Sequence, residues 1–148
     1  MNEEVWKDIP GYENLYQAST LGRIRTHPHK TTYTELRGVR HWKTRILKSR
    51  GECHCPGKRA SLWKDGKCKD FLQARLVAMT WVDGYSPDLT VNHINGDRMD
   101  NRPENLEWVT LRENIQHGFR TGLYKNVMRP IALRSKKTGE VIIFESMK

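Results

Sequence analysis

The stretch Val91–Asn114, VNHINGDRMDNRPENLEWVTLREN, sets His93, Asn105 and Asn114 between two apolar runs within 24 residues. A histidine in an extended apolar run can be an oriented general base, because an imidazole with an ordinary pKa of about 6.5 changes protonation near working pH. An asparagine in a returning strand can brace the intervening loop, and a third polar side chain on a following helix can hold a cation. Together they suggest one-metal hydrolysis of a phosphodiester. That reaction needs an activated water, a neutralised pentavalent phosphate and a stabilised leaving oxygen; the histidine would serve the first need and one hydrated divalent ion the other two. Asn92 and His93 are neighbours in a strand and point to opposite faces unless the strand ends or bends there. The Asn95-Gly96 turn signal directly after them predicts such a bend, so that both could reach one ion and its substrate. The competing account is a polar turn between two strands with His93 satisfied by backbone.

The elements that must position these residues are legible around them. Leu89-Thr90-Val91 reads as a short β-branched strand, INGDRMDNRPEN as a turn-rich loop, and Leu106–Val109 as the returning strand. Asp97 and Asp100 are then turn formers rather than ligands. Thr110 with Glu113 three residues on forms a capping box, predicting a helix from about Leu111 that carries Asn114 and, one turn further, His117. Upstream, Leu72–Val82 has Leu72, Leu76, Met79 and Val82 at helical spacing and reads as a core helix beneath the motif. Only Arg75 on it is basic, which argues against a recognition helix. ASLWKDGKCKDF places Asp65-Gly66 between two short strands, a strong hairpin signal.

The N-terminal stretch VWKDIPGYENLYQASTLGRIR suits short strands, with Arg23 and Arg25 on one face and Ile24 on the other. His27–Lys58 is basic and poor in aliphatics, an extended arm or a loop-rich sheet. The tail predicts strands at Ile131–Arg134 and Glu140–Phe144 around a Lys-Thr-Gly turn, a hairpin that either docks on the body or belongs to a partial module.

Composition narrows the class of partner. The chain has 148 residues, 36% hydrophobic, and a formal net charge of +9. From Leu21 to Arg75 fifteen Lys and Arg face four acids, a balance of +11, whereas Leu76 to His117 holds three bases against seven acids, −4. A motif in an acidic segment flanked by basic ones fits a metal site carried between arms that grip phosphates. No apolar run approaches the roughly 20 residues of a membrane span, and MNEEVWKDIP lacks the apolar region of a signal peptide. The expectation is a cytoplasmic protein that is not secreted. Cys53, Cys55 and Cys68 are too few and irregular for a disulfide framework; with His54 they can be written as a structural zinc site, but adjacent ligands pointing different ways disfavour it.

Taken in order, Asn92-His93-Ile94-Asn95-Gly96, Asn101-Arg102, Glu104 through Thr110 and Glu113-Asn114 resemble the HNH endonucleases, more closely the phage and intron-type homing enzymes. Trp6 through Tyr12, Tyr16-Gln17 and Leu21 through Ile24 look like the modular DNA-binding motif that commonly precedes this nuclease, and Arg75-Leu76-Val77-Ala78 looks like its linking helix. The resemblance covers most of residues 4 to 118, and the tail resembles the start of a second modular motif.

The fold implied is α+β: a ββα-metal core at 88–118, an N-terminal antiparallel β-rich DNA-binding region at 1–70 with basic extended arms, a linking helix at 71–87 and a DNA-contacting tail at 119–148. The resemblance makes His93 the general base, Asn105 the asparagine that holds the loop, and Asn114 a metal ligand where other members carry a histidine. Asn92 matches a ligand that is aspartate in some relatives, a departure that weakens the cation site unless phosphate oxygens complete the shell. Arg23, Arg25, Arg45, Lys48 and Arg75 are the expected phosphate contacts, with His117 either touching a phosphate or lying at the surface. The expected partner is double-stranded DNA, with no membrane and no small-molecule substrate. The expected ion is Mg2+ with Mn2+ as substitute, and the expected state a monomer with a dimer as the alternative. The rival function is a sequence-specific DNA-binding protein that kept the fold and lost cleavage through Asn92.

Overall fold

Tight turns join pairs of antiparallel strands through the first half of the chain, where aromatic and β-branched residues alternate with Pro, Gly and Asn. The computed structural model describes residues 3–49, 57–123, 131–134 and 141–144, the last two segments as backbone. Strands β1 (Trp6–Asp8), β2 (Tyr16–Ser19) and β3 (Ile24–Thr26) form a three-stranded antiparallel sheet in that order. Residues 45–47 continue along the edge of β3: Thr26 N donates to Arg45 O at 3.0 Å and Leu47 N to Ile24 O at 2.8 Å. The basic segment after His27 holds a hairpin of its own, β4 (Thr31–Thr34) with β5 (Gly38–His41).

The Asp65-Gly66 signal is realised as a two-residue turn between β6 (Arg59–Lys64) and β7 (Lys67–Leu72), with φ of 50° and 72° at its two positions. Positive φ at both residues matches the right-handed twist of the flanking strands, and glycine and aspartate adopt it at low cost. Cys68 sits exposed on β7, while Cys53, His54 and Cys55 lie outside the described residues.

Helix α1 (Gln73–Trp81) is the element around which the rest packs. It touches β2, β7 and the two strands of the motif, and Leu76, Val77 and Ala78 are fully buried. Its alanines let strands approach from both sides, and the tryptophans that close over it keep their indole hydrogens satisfied: Trp81 Nε1 donates to Ala18 O and Trp108 Nε1 to Val82 O, each at 3.1 Å. One core therefore joins Ile9, Tyr16 and Ile24 of the N-terminal sheet to Leu62, Leu76 and Leu106.

The motif folds in the expected order of strand, loop, strand and helix. Strands β8 (Thr90–His93) and β9 (Leu106–Val109) pair antiparallel, a 3₁₀ turn at Pro103–Asn105 leads into β9, and α2 (Leu111–Arg120) follows. Thr110 caps α2 reciprocally with Glu113: Glu113 N donates to the Thr110 hydroxyl at 3.3 Å and Thr110 N to the Glu113 carboxylate at 2.8 Å. These bonds from Thr110 hold the Glu113 carboxyl below its ordinary pKa. Strands β10 (Ile131–Arg134) and β11 (Val141–Phe144) pair as a hairpin; Glu140 and the Lys-Thr-Gly turn lie outside the described residues. Among the described residues no helix is long and apolar enough to cross a membrane.

Candidate active site

His93 is the last residue of β8, and the turn after it is sharp. Gly96 N donates back to His93 O at 2.9 Å, and Gly96 has φ of +75°, a conformation that glycine adopts without steric cost. Because the strand ends there, Asn92 and His93 both line one cleft of about 400 Å³, together with Asn101, Asn114 and His117. Lys58, Arg59 and Arg98 at the same cleft give it a basic lining suited to a phosphate.

Each polar member has a definite environment. The His93 ring Nε2 lies 3.0 Å from Asn101 Oδ1. Asn92 is 5% exposed and donates its amide Nδ2 to Glu107 Oε1 at 2.7 Å, the two being direct cross-strand partners. An amide whose NH2 is committed to a carboxylate has its carbonyl oxygen left for other work. Asn114 stands half-buried on α2, and His117, one turn on, has Nε2 3.2 Å from Ile94 O.

Asn105 closes the loop. Its Oδ1 accepts from Asn95 N at 3.0 Å, and its Nδ2 donates to Asn95 Oδ1 at 3.0 Å and to Asp100 O at 2.8 Å. Asn105→Asp would turn both donations into contacts between acceptors. We expect it to destabilise the protein by about 2–4 kcal/mol in urea titrations. An unchanged midpoint would show that these bonds do not hold the loop. Outside this brace, the Arg102 guanidinium holds the Asp100 carboxyl down to about 2. The help that this lowered pKa gives the loop is present above the ordinary aspartate range and is lost as pH falls toward 2.

Among the described residues no three His, Cys, Asp or Glu side chains cluster as a metal cage. The cleft lining includes the amides of Asn92, Asn101 and Asn114, which are neutral oxygen donors. Neutral amide oxygens fit a hard divalent ion that keeps most of its water.

The expected DNA contacts divide. Arg45 and Lys48 are exposed on the strand-like edge segment. Arg23 forms a two-pronged ion pair with Glu4, whose carboxyl it holds below the ordinary range. Arg25 donates to Gln17 Oε1 at 2.9 and 2.7 Å and lies over the Trp6 ring at 4.3 Å. Arg75 lines the cleft as well, where it donates to Leu89 O at 3.0 Å and lies beside the rings of Tyr85 and Trp108, pinning the approach to β8. Two residues that carry the resemblance were given no role in the sequence, Asn101 and Glu107. Zipping β8 against β9 from the loop would have found Glu107 opposite Asn92; no local rule pairs Asn101 with His93.

Known proteins share both halves of this arrangement. The HNH endonuclease family model matches residues 74–116, and that of the NUMOD4 motif matches residues 4–50. An HNH endonuclease of Acanthamoeba polyphaga mimivirus is 37% identical over 152 residues, covering 97% of this chain and 33% of its own length. The DNA endonuclease I-HmuI of Bacillus phage SP01 is 33% identical over 117 residues, covering 79% of this chain and 59% of its own length. The chain thus spans less than two thirds of these curated relatives. A solved structure described as DNA binding and cleavage by the HNH homing endonuclease I-HmuI superposes with a TM-score of 0.62 at 30% identity, over 96% of this chain and 78% of that one. With the strand-ending histidine, the bracing asparagine and the capped helix all in place, this chain belongs to the HNH endonuclease family.

Proposed function

We propose that this chain is a metal-dependent endonuclease of homing type that hydrolyses duplex DNA, leaving a 5′-phosphate and a 3′-hydroxyl. The observation that carries the reading is the placement of His93, Asn92 and Asn114 on one cleft with a basic lining. His93 takes the proton from the attacking water. Its position at a strand end, followed by the Gly96 turn, presents the ring to the cleft while the backbone stays paired. Asn92 and Asn114 would hold the ion through their carbonyl oxygens, and Glu107 selects which end of the Asn92 amide is left for it. When bound, a Mg2+ ion, or Mn2+ in its place, supplies charge neutralisation at the phosphate and at the leaving oxygen. Arg25, Arg45 and Lys48 offer surface cations for the duplex backbone, consistent with the net charge of +9. The chain acts as a monomer, and one site makes one nick per binding event.

Supercoiled plasmid tests this reading. With Mg2+ the protein is expected to convert plasmid to open circle, and a chelator should stop it. Asn114→Ala should raise the metal concentration for half-maximal cleavage by about tenfold or more, as loss of one ligand from a weak site does. A protein that retards DNA without nicking it at any Mg2+ or Mn2+ concentration would instead be the DNA-binding relative, with Asn92 the reason.

A further inference from the structure

Asn101 is 4% exposed, lies in the loop between β8 and β9, and makes a side-chain hydrogen bond with His93. Its Oδ1 faces the His93 Nε2 at 3.0 Å, whereas its Nδ2 is buried with no hydrogen-bond partner among the described residues. A buried NH2 left unpaired costs roughly 1–3 kcal/mol, so a residue kept in this state calls for an explanation beyond packing. An amide oxygen only accepts, so the His93 ring nitrogen facing it carries the hydrogen and the ring's lone pair is left at Nδ1. The opposite orientation of the amide would place an NH2 against Nε2, give the other tautomer, and repel the ring once both nitrogens carry hydrogens. Only the oxygen suits His93 before and after it accepts a proton.

What fixes Asn101 comes from elsewhere in the chain. Gly22, in the turn between β2 and β3, packs so closely that a Cβ there would lie 2.4 Å from Asn101 O and 2.9 Å from Asn101 Cβ. Gln73 on α1 donates Nε2 to Gly22 O at 2.5 Å and so ties that turn to the helix beneath the site. We propose that Asn101 is a positioning residue for the base: it holds His93 as the Nε2–H tautomer with Nδ1 left to take the proton from water, and the Gly22 turn of the N-terminal sheet holds Asn101. The proposal rests on His93 being the base and deepens that reading.

The tautomer can be read without cleavage. In the full chain labelled with 15N-histidine, free of metal and DNA and at a pH where the ring is neutral, His93 is assigned by the signal that His93→Ala removes. The parent is expected to show Nε2–H. Asn101→Asp, which keeps an acceptor in place, should retain it, and Asn101→Leu should shift His93 toward a tautomer mixture; Asn101→Ala serves where leucine disturbs folding. Cleavage by Asn101→Leu should fall about 10- to 100-fold in kcat with DNA affinity unchanged, the usual effect of removing the partner that orients an active histidine. An Nδ1–H tautomer in the parent, or one that ignores loss of the amide, overturns the proposal whatever the protein does to DNA. So does an unaltered kcat in Asn101→Leu. Should the chain fail to cleave at all, the tautomer still decides the positioning role, and the failure falls on the endonuclease reading alone.

Discussion

His93→Ala is expected to lower single-turnover cleavage by about 10²–10⁴-fold while DNA affinity stays within a factor of two or so. The size follows from the task. Removing a positioned base leaves the ion and the bound geometry to act alone, and these retain part of the rate. The fold should tolerate the change. His93 is half-buried at the end of β8, its backbone bonds to the turn persist in alanine, and among the described residues its side chain contributes one hydrogen bond, to Asn101. A melting temperature close to the parent's would therefore accompany the loss of rate. The measurement pairs a gel-shift titration with single-turnover nicking of plasmid at saturating Mg2+. Equal cleavage by the variant would remove His93 from the base role and leave the cleft's other histidine, His117, as the one to test next.

Gly22→Ala is expected to damage stability and cleavage together, although Gly22 lies 71 positions before His93 in the sequence. Two penalties combine. The residue has φ of +72°, where an L side chain costs about 1–2 kcal/mol, and the added Cβ meets the Asn101 backbone at 2.4 Å, an overlap that overpacked sites relieve at about 1–3 kcal/mol. Together they predict a loss of about 2–5 kcal/mol and a fall in melting temperature of roughly 5–15 °C. The relief has to come from the Asn101 loop, so His93 loses its partner and cleavage falls even at temperatures where the variant is folded. Gly11 supplies the control. Its φ is +80°, yet nothing lies within 4 Å of a Cβ built there, so Gly11→Ala should show the conformational cost alone and leave cleavage unchanged. Equal behaviour of the two variants would show that the close approach to Asn101 does not matter.

Local rules account for the parts of the structure that came through from the sequence. The capping box at Thr110 and Glu113, the Asp65-Gly66 hairpin and the α1 helix each depend on residues within a few positions of one another. Loop closure by Asn105 is also short-range, since its partners Asn95 and Asp100 lie on the same excursion between β8 and β9. Spacing alone could therefore mark His93, Asn105 and Asn114 as a set. The ribbon at β4 and β5 was less visible, because Thr31–Thr34 and Gly38–His41 bury little and so carry little hydrophobic pattern.

The sequence by itself determined the order of elements and the identity of the polar residues placed at the cleft, because turn chemistry, capping and strand alternation act over short distances. Only the tertiary structure decided what those residues face. Arg75, expected at a phosphate, is given the Tyr85 and Trp108 rings and the Leu89 carbonyl as neighbours. Arg23, expected at a phosphate as well, is given Glu4 as its ion-pair partner across the sheet. Asn92 acquires Glu107, and His93 acquires an Asn101 that is itself clamped from Gly22, through strand register and close packing that no local pattern encodes. Burial is the physical reason: a side chain's partner is set by which surfaces the shared core around α1 draws together, and that depends on the whole chain at once.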